Sequence, residues 1–257
     1  MPTVSEIYQH LSTVLPSSLS CDWDNDGLMV CANPDAQVKK ILFALDITPS
    51  VAEYALQIGA ELIISHHPLI FSGIRRMDGH DTTSRKVMFL IRNHISAMSF
   101  HTRLDAADGG INDILADLFS LSDVEKFGVD GDTAARIGTL PAPLPFEDFC
   151  RLVKQTLRAP SVCGAKAGDT VSRLALLGGA GKDYIRKAQE MGADTYLSGE
   201  VNYNYLLEAA ENGISVVTAG HYHTEAPFTA FFEKTLTETF GDIEFVHFPH
   251  GCEFFYC

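Results

Sequence analysis

Two adjacent histidines, His66 and His67, directly follow the apolar run Leu62–Ser65 in the stretch IISHHP. A second stretch, SFHTRLDAADGG, sets His101 and Asp105 behind another apolar run, and TAGHYHTEAP sets His221, His223 and Glu225 behind a third. Ligand and catalytic groups in α/β proteins collect at the carboxyl ends of strands, so three such segments can converge on one edge of a sheet. Neighbouring side chains on a strand point to opposite faces. Pro68 constrains the backbone of His67 before it, which lets the two rings face neighbouring positions. Imidazole suits Zn, Fe, Ni and Cu, and carboxylate adds Mn and Mg. A lone His before proline, or a lone His-x-x-x-Glu, reads as packing or a helix-surface pair. Together, His66, His67, Asp105, His221 and Glu225 read as a metal site. Three histidines with two carboxylates exceed what one open catalytic ion requires. They suit two ions about 4 Å apart that share a bridging carboxylate or water. His223, His80, His94, His247 and His250 read as surface or packing residues.

The elements that must position these groups follow from periodicity and punctuation. Val4–Val14 has helical spacing and stops before Pro16. Residues 38–45 read as a strand. A helix over Pro49–Ile58 opens on proline and closes on Gly59, the usual polarity of those two residues. Leu62–Ser65 reads as a strand, 83–93 as a helix, 95–100 as a strand and 110–119 as a helix. The order then recurs: strand 174–177, helix 182–190 closed by Gly192, strand 195–197, helix Tyr203–Glu211, strand 214–219, long helix 224–239, strand 243–248. Strands separated by helices of this length argue an α/β sheet protein. The proline-rich stretch 139–146 (TLPAPLPF) marks a turn region.

An internal repeat runs through this order. AEYALQIGAELIIS (52–65) lies over DYIRKAQEMGADTYLS (183–198) without gaps when Gly59 is set on Gly192. Ala60 then falls on Ala193, Glu61 on Asp194 and Ser65 on Ser198. Further on, NHISAMSFHTRLD lies over NGISVVTAGHYHTE. A one-residue gap puts His101 on His221 and Asp105 on Glu225. Each half therefore ends a strand with His-x-x-x-Asp or His-x-x-x-Glu, which argues duplication. Three or more short units would be needed for a repeat array, so no solenoid is implied.

Composition sets outer limits. The chain of 257 residues is 46% hydrophobic and 20% charged, ordinary values for a globular protein. A net charge of −14 disfavours a general binder of nucleic-acid phosphates. Residues 1–15 lack a basic segment followed by an apolar core, so no signal peptide is expected, and no apolar run approaches the ~18 residues of a membrane span. Cys21, Cys31, Cys150, Cys163, Cys252 and Cys257 are scattered without a C-x-x-C pair, which reads as reduced, mostly buried thiols of a cytoplasmic protein. LGGAG (177–181) reads as a glycine turn between strand and helix, or as a phosphate cradle of backbone N–H groups. Arg75 and Arg76 read as loop charges or a phosphate grip. Asp24, Asn25 and Asp26 read as a local turn with Asx-type bonds.

Six motifs, in order along nearly the whole chain, carry a resemblance: WDNDGLMV (23–30), IISHHPLIF (63–71), HTRLDAADGGIND (101–113), LLGGAG (176–181), YLSGEV (196–201) and GHYHTE (220–225). The chain resembles the Nif-three-like family (NGG-interacting factor three), often labelled GTP cyclohydrolase I type 2 homologues. The resemblance implies two intertwined, duplicated α/β repeats with mixed sheets, here residues 1–130 and 131–257. It implies a ring-shaped homohexamer whose dinuclear sites face an internal cavity. It places the metal ligands on His66, His67, Asp105, His221 and Glu225. Glu225 would bridge, His67 and Asp105 would complete one sphere, and His66 and His221 the other. His101 falls outside the usual ligands and reads as an orienting group or proton shuttle, the one catalytic side chain expected apart from the ligands. Two positions depart from the family pattern: Arg103 stands where the family has Asn, and Ser198 where it has Thr. Arg103 is expected to alter charge beside the metals or to touch substrate.

The chemistry implied is that of a hydrolase with two divalent ions per chain (Zn, Fe or Mn), acting on a nucleotide, GTP by the family label, or a related small molecule. The competing expectation is a non-catalytic protein that stores, delivers or senses iron or zinc, or that serves as a scaffold. Neither expectation involves nucleic acid or a membrane as partner.

Overall fold

The computed structural model describes residues 1–249. In chain order the elements are α1 (Val4–Val14), β1 (Gly27–Val30), β2 (Lys40–Ala44), α2 (Pro49–Ile58), β3 (Leu62–Ser65), α3 (Thr82–Arg92), β4 (Ser96–Ser99), α4 (Thr102–Ala106), α5 (Ile111–Leu118), β5 (Ser122–Phe127) and β6 (Ala135–Pro145). They continue with α6 (Phe146–Thr156), β7 (Cys163–Ala165), β8 (Thr170–Ala180), α7 (Ile185–Glu190), β9 (Thr195–Glu200), α8 (Tyr203–Glu211), β10 (Ser215–Thr218), α9 (His221–Glu225), α10 (Thr229–Phe240) and β11 (Glu244–His247). The chain forms two compact units. Unit 1 holds Met1–Leu104 and the returning segment from Thr229; unit 2 holds Asp105–Phe228. No described helix is long and apolar enough to cross a membrane.

Unit 1 carries a five-stranded sheet in the order β1-β4-β3-β2-β11. β11, β2, β3 and β4 run parallel, and β1 joins antiparallel at the edge. Every residue of β3 and β4 is buried, as expected of central parallel strands covered on both faces. Helices α2 and α3 contribute Val51, Ala52, Ala55, Val87 and Leu90 to a core shared with Leu42, Ile63 and Ala97. Helix α1 starts on a capping box, with Thr3 Oγ1 accepting from the Glu6 N–H and Glu6 Oε2 accepting from the Thr3 N–H.

Unit 2 carries a six-stranded sheet in the order β5-β6-β8-β9-β10-β7. Its β8, β9 and β10 are parallel and β7 closes the edge antiparallel. This matches β2, β3, β4 and β1 of unit 1 one for one. The duplication reaches individual hydrogen bonds. Glu61 Oε2 accepts from the N–H groups of Lys39 and Lys40, and Asp194 Oδ2 accepts from those of Ser172 and Arg173. Gly59 and Gly192 hold φ of 68° and 85°, the left-handed conformation that ends a helix at low cost only for glycine. The edge strands β1 and β7 carry little periodic signal and are absent from the expected element order.

Three expectations change. The helix expected over 224–239 is broken into α9, a single 3-10 turn at Ala226–Phe228, and α10. Pro227 has no N–H to donate within a continuous helix. Residues 139–146 are mostly strand: β6 pairs with β8 on both sides of a register shift between Thr139 and Leu144, and Pro141 and Pro143 fall inside that irregularity. Of the described cysteines, Cys21, Cys31 and Cys150 are half-buried and Cys163 is exposed, all as free thiols, so burial is less than expected. Cys252 and Cys257 lie outside the described residues.

Candidate metal centre

In unit 1, β3 delivers His66 and His67 at its carboxyl end, and β4 delivers His101 at the neighbouring carboxyl end. His66 is fully buried. The ring centroids stand 5.1 Å (His66–His67), 5.2 Å (His66–His101) and 5.6 Å (His67–His101) apart. One ring nitrogen from each of the three comes within 4.8 Å of the others, close enough to share an ion.

Each of these imidazoles is oriented the same way. His66 Nδ1 lies 3.0 Å from the Phe100 carbonyl, His67 Nδ1 lies 2.8 Å from Asp46 Oδ1, and His101 Nδ1 lies 3.0 Å from Asp24 Oδ1. A carbonyl or carboxylate oxygen only accepts, so each Nδ1 carries the proton and each Nε2 is the nitrogen that can meet an ion or exchange a proton. Metal-ligating histidines are held in this manner, so the donor set fits a divalent ion of the type that imidazole prefers.

The segment WDNDG, expected to be a local turn, instead reaches across the chain. Besides Asp24 Oδ1 on His101, Asp24 Oδ2 accepts from the Thr102 N–H and Oγ1. Burial pushes the Asp24 carboxyl up, but the bonds from His101 and then Thr102 outweigh it and bring it down to about 2. Asp26 accepts from the His101 N–H at 3.2 Å and from Arg103 Nε at 2.9 Å. Arg103 is 3% exposed and also donates to the Leu15 carbonyl. Its charge is thus paired with Asp26 inside unit 1, next to the backbone of His101.

In unit 2, α9 follows β10 and carries His221 and Glu225 one helical turn apart. His221 Nε2 lies 3.0 Å from Glu225 Oε2, and its Nδ1 lies 3.7 Å from Glu200 at the end of β9. Glu225 is 4% exposed. Asp105 lies in the last turn of α4, and its backbone carbonyl accepts from Asn112 Nδ2. The other end of that fully buried amide, Asn112 Oδ1, accepts from the Gly178 N–H at 2.8 Å. Gly179 donates to Thr224 Oγ1 and Gly181 to the Glu200 carbonyl. These glycine N–H groups therefore serve the fold and not a phosphate. A Cβ on Gly179 would overlap Glu225 Oε1, so glycine there makes room for the carboxylate.

Of the histidines read as surface or packing, His80, His94 and His247 are exposed and His223 is half-buried against Tyr222. Burial moves the His223 pKa down, partly opposed by the hydrogen bond its ring donates to the Leu157 backbone. His250 lies outside the described residues. Sequence reasoning missed Asp24, Asp46, Asn112 and Glu200. Asp46 and Glu200 share one signal with the expected ligands: both stand at or just past the carboxyl end of a parallel strand.

The chain is similar to known proteins over its length. A profile described as Duf34/NIF3 (NGG1p interacting factor 3) matches residues 2–250. A GTP cyclohydrolase 1 type 2 homolog of Methanocaldococcus jannaschii is 34% identical over 94% of this chain and 97% of the relative. One of Clostridium perfringens is 30% identical over 95% of each. The crystal structure of a Bacillus cereus protein related to NIF3 shares the fold, with a TM-score of 0.88 at 21% identity over 100% of this chain and 99% of that one. The chain belongs to the DUF34/NIF3 family.

Proposed function

We propose that the protein is a hydrolase that uses two divalent metal ions held by His66, His67, Asp105, His221 and Glu225 and acts on a nucleotide or related small molecule. The observation that carries this reading is the common orientation of His66, His67 and His101, each with Nδ1 on an oxygen acceptor. The name of the curated relatives, GTP cyclohydrolase 1 type 2 homolog, makes GTP the first substrate to assay. Ions so bound supply Lewis acidity and a water acidic enough to react near neutral pH.

The chain's own groups do the rest. His66 and His67 are oriented through Nδ1 by the Phe100 carbonyl and Asp46, which leaves each Nε2 to meet an ion. Glu225, lodged over Gly179, presents carboxylate oxygens from a rigid strand-to-helix corner. His101 is not a ligand in this reading. With Nδ1 held by Asp24, it accepts or donates a proton at Nε2, as a positioned imidazole does in general acid–base catalysis.

Metal analysis of protein purified without chelator, beside GTP turnover on the same sample, tests the proposal. The expected result is about two ions per chain and metal-dependent turnover that His67→Ala abolishes. Glu225→Ala should lose most metal at both positions, and Asp105→Ala mainly at one. Two ions retained in Glu225→Ala would refute the bridging role. Two ions without turnover on any nucleotide would leave a metal-handling protein in place of a hydrolase.

A further inference from the structure

Trp23 and Phe71 are large rings left mostly in water, 62% and 53% exposed. Single exposed apolar side chains are common and need no explanation. These two stand together, with ring centroids 6.1 Å apart and planes inclined at 50°. Trp23 also meets the His101 ring edge-on at 5.9 Å, next to His66 and His67.

The rings do not hang on loose loops. Ser20 Oγ donates to Asp26, the Cys21 N–H to Thr102 Oγ1, and Asp24 and Asp26 fasten the segment to His101, Thr102 and Arg103. Asn25 Nδ2 donates to the Ile70 carbonyl, tying the Trp23 segment to the residue before Phe71. The segment around Trp23 is thus tied by several hydrogen bonds to His101, α4 and Ile70, yet it holds an indole out to solvent beside the histidine cluster. Preorganisation of this kind has a use when a ligand lands on the ring.

We infer that Trp23 and Phe71 form a stacking shelf for a planar heteroaromatic ring, the base or base-like part of the substrate. A sandwich between them would need about 7 Å, two van der Waals contacts, and parallel planes. The observed spacing and tilt exclude that arrangement. The ligand ring instead lies on the open indole face with Phe71 flanking it. Arg75 and Arg76, both exposed, follow Phe71 in the same segment. The inference rests on the hydrolase reading and deepens it, since it names the residues that receive the base. Its test is independent of metal.

Trp23 is the only tryptophan in the chain, so its fluorescence reports the shelf directly. Metal-stripped full-length protein is titrated with inosine 5′-monophosphate and, separately, with ribose 5-phosphate, which has the phosphate and no ring. Saturable quenching by the first and none by the second is the expected result. Phe71→Ala, an exposed change that leaves the reporter in place, should weaken binding by roughly fivefold or more, the effect of losing one ring from a base-stacking site. Unchanged emission with purine, pyrimidine and pterin probes at millimolar concentration would overturn the inference. So would emission already shielded from iodide in the free protein and unmasked on dilution to a smaller species by light scattering, since a second copy of the chain would then cover the rings.

Discussion

The unit 1 cluster depends on two short carboxylates, Asp24 and Asp26, 75 or more residues away in sequence from the groups they hold. The chemical identity of His66, His67 and His101 was legible from residue type and their place after apolar runs. The clamp was not, because D-x-D in a glycine-bounded segment has the composition of a turn, and nothing local marks a partner so distant. The partner of Arg103 was hidden for the same reason. A charged side chain near expected ligands suggests an active role until its buried counter-ion is seen. The Asp24 carboxyl sits near 2, below its usual 3.8. A carboxyl depressed on folding contributes stability that is complete above the unfolded value and is lost as pH falls through the folded one. The unfolding temperature should therefore drop between about pH 4 and pH 2. Asp24→Asn should flatten that part of the profile while lowering stability at neutral pH. A variant profile parallel to wild type throughout the range would show that Asp24 does not carry the linkage.

Among the elements, the strongly periodic ones were readable and the short edge strands were not. Val4–Val14, Pro49–Ile58, Leu62–Ser65 and Tyr203–Glu211 occur at the expected bounds. Each has a capping residue, a glycine stop or a continuous apolar run. β1 and β7 owe their existence to pairing with β4 and β10, a tertiary cause that leaves little trace in a window of three or four residues. Glycines divide along the same line. Gly59 could be read as a helix stop from sequence, whereas the role of Gly179 needs the approach of α9. Gly59→Ala should cost about 1–2 kcal/mol for a left-handed residue and leave metal affinity alone, because open space surrounds the added methyl. Gly179→Ala has φ of 69° and Glu225 in its path. It should weaken metal binding by roughly 10- to 100-fold, the usual effect of disturbing a ligand's support. Thermal unfolding and zinc titration of both variants check the contrast. Equal metal affinity in the two would dismiss the glycine as a device for seating Glu225.

For the molecule as a whole, the duplicated order was visible in the sequence as Gly59 on Gly192 and Asp105 on Glu225, and the two sheets repeat it over four strands each, β2, β3, β4 and β1 against β8, β9, β10 and β7. The resemblance implied that the halves intertwine, but the point of return to unit 1 at Thr229 was not visible, because periodicity reports an element's type and not the sheet it joins. At this scale the net charge of −14 also acts. An acidic chain repels itself in the compact state, and any divalent cation relieves some of that repulsion. A specific site predicts more. An ion bound only by the folded chain, present at about 100 times its dissociation constant, stabilises by about 2.7 kcal/mol. For units of this size that corresponds to a rise in unfolding temperature of roughly 5–10 °C. Micromolar zinc or manganese added to chelator-treated protein should produce the rise, and Glu225→Ala should abolish it. Magnesium at the same concentration should do nothing, and millimolar magnesium should act equally on both proteins through charge alone. If micromolar zinc stabilised Glu225→Ala as much as wild type, or if magnesium reproduced the whole effect, the cation would be relieving the chain's overall charge and the five proposed ligands would lose their thermodynamic support.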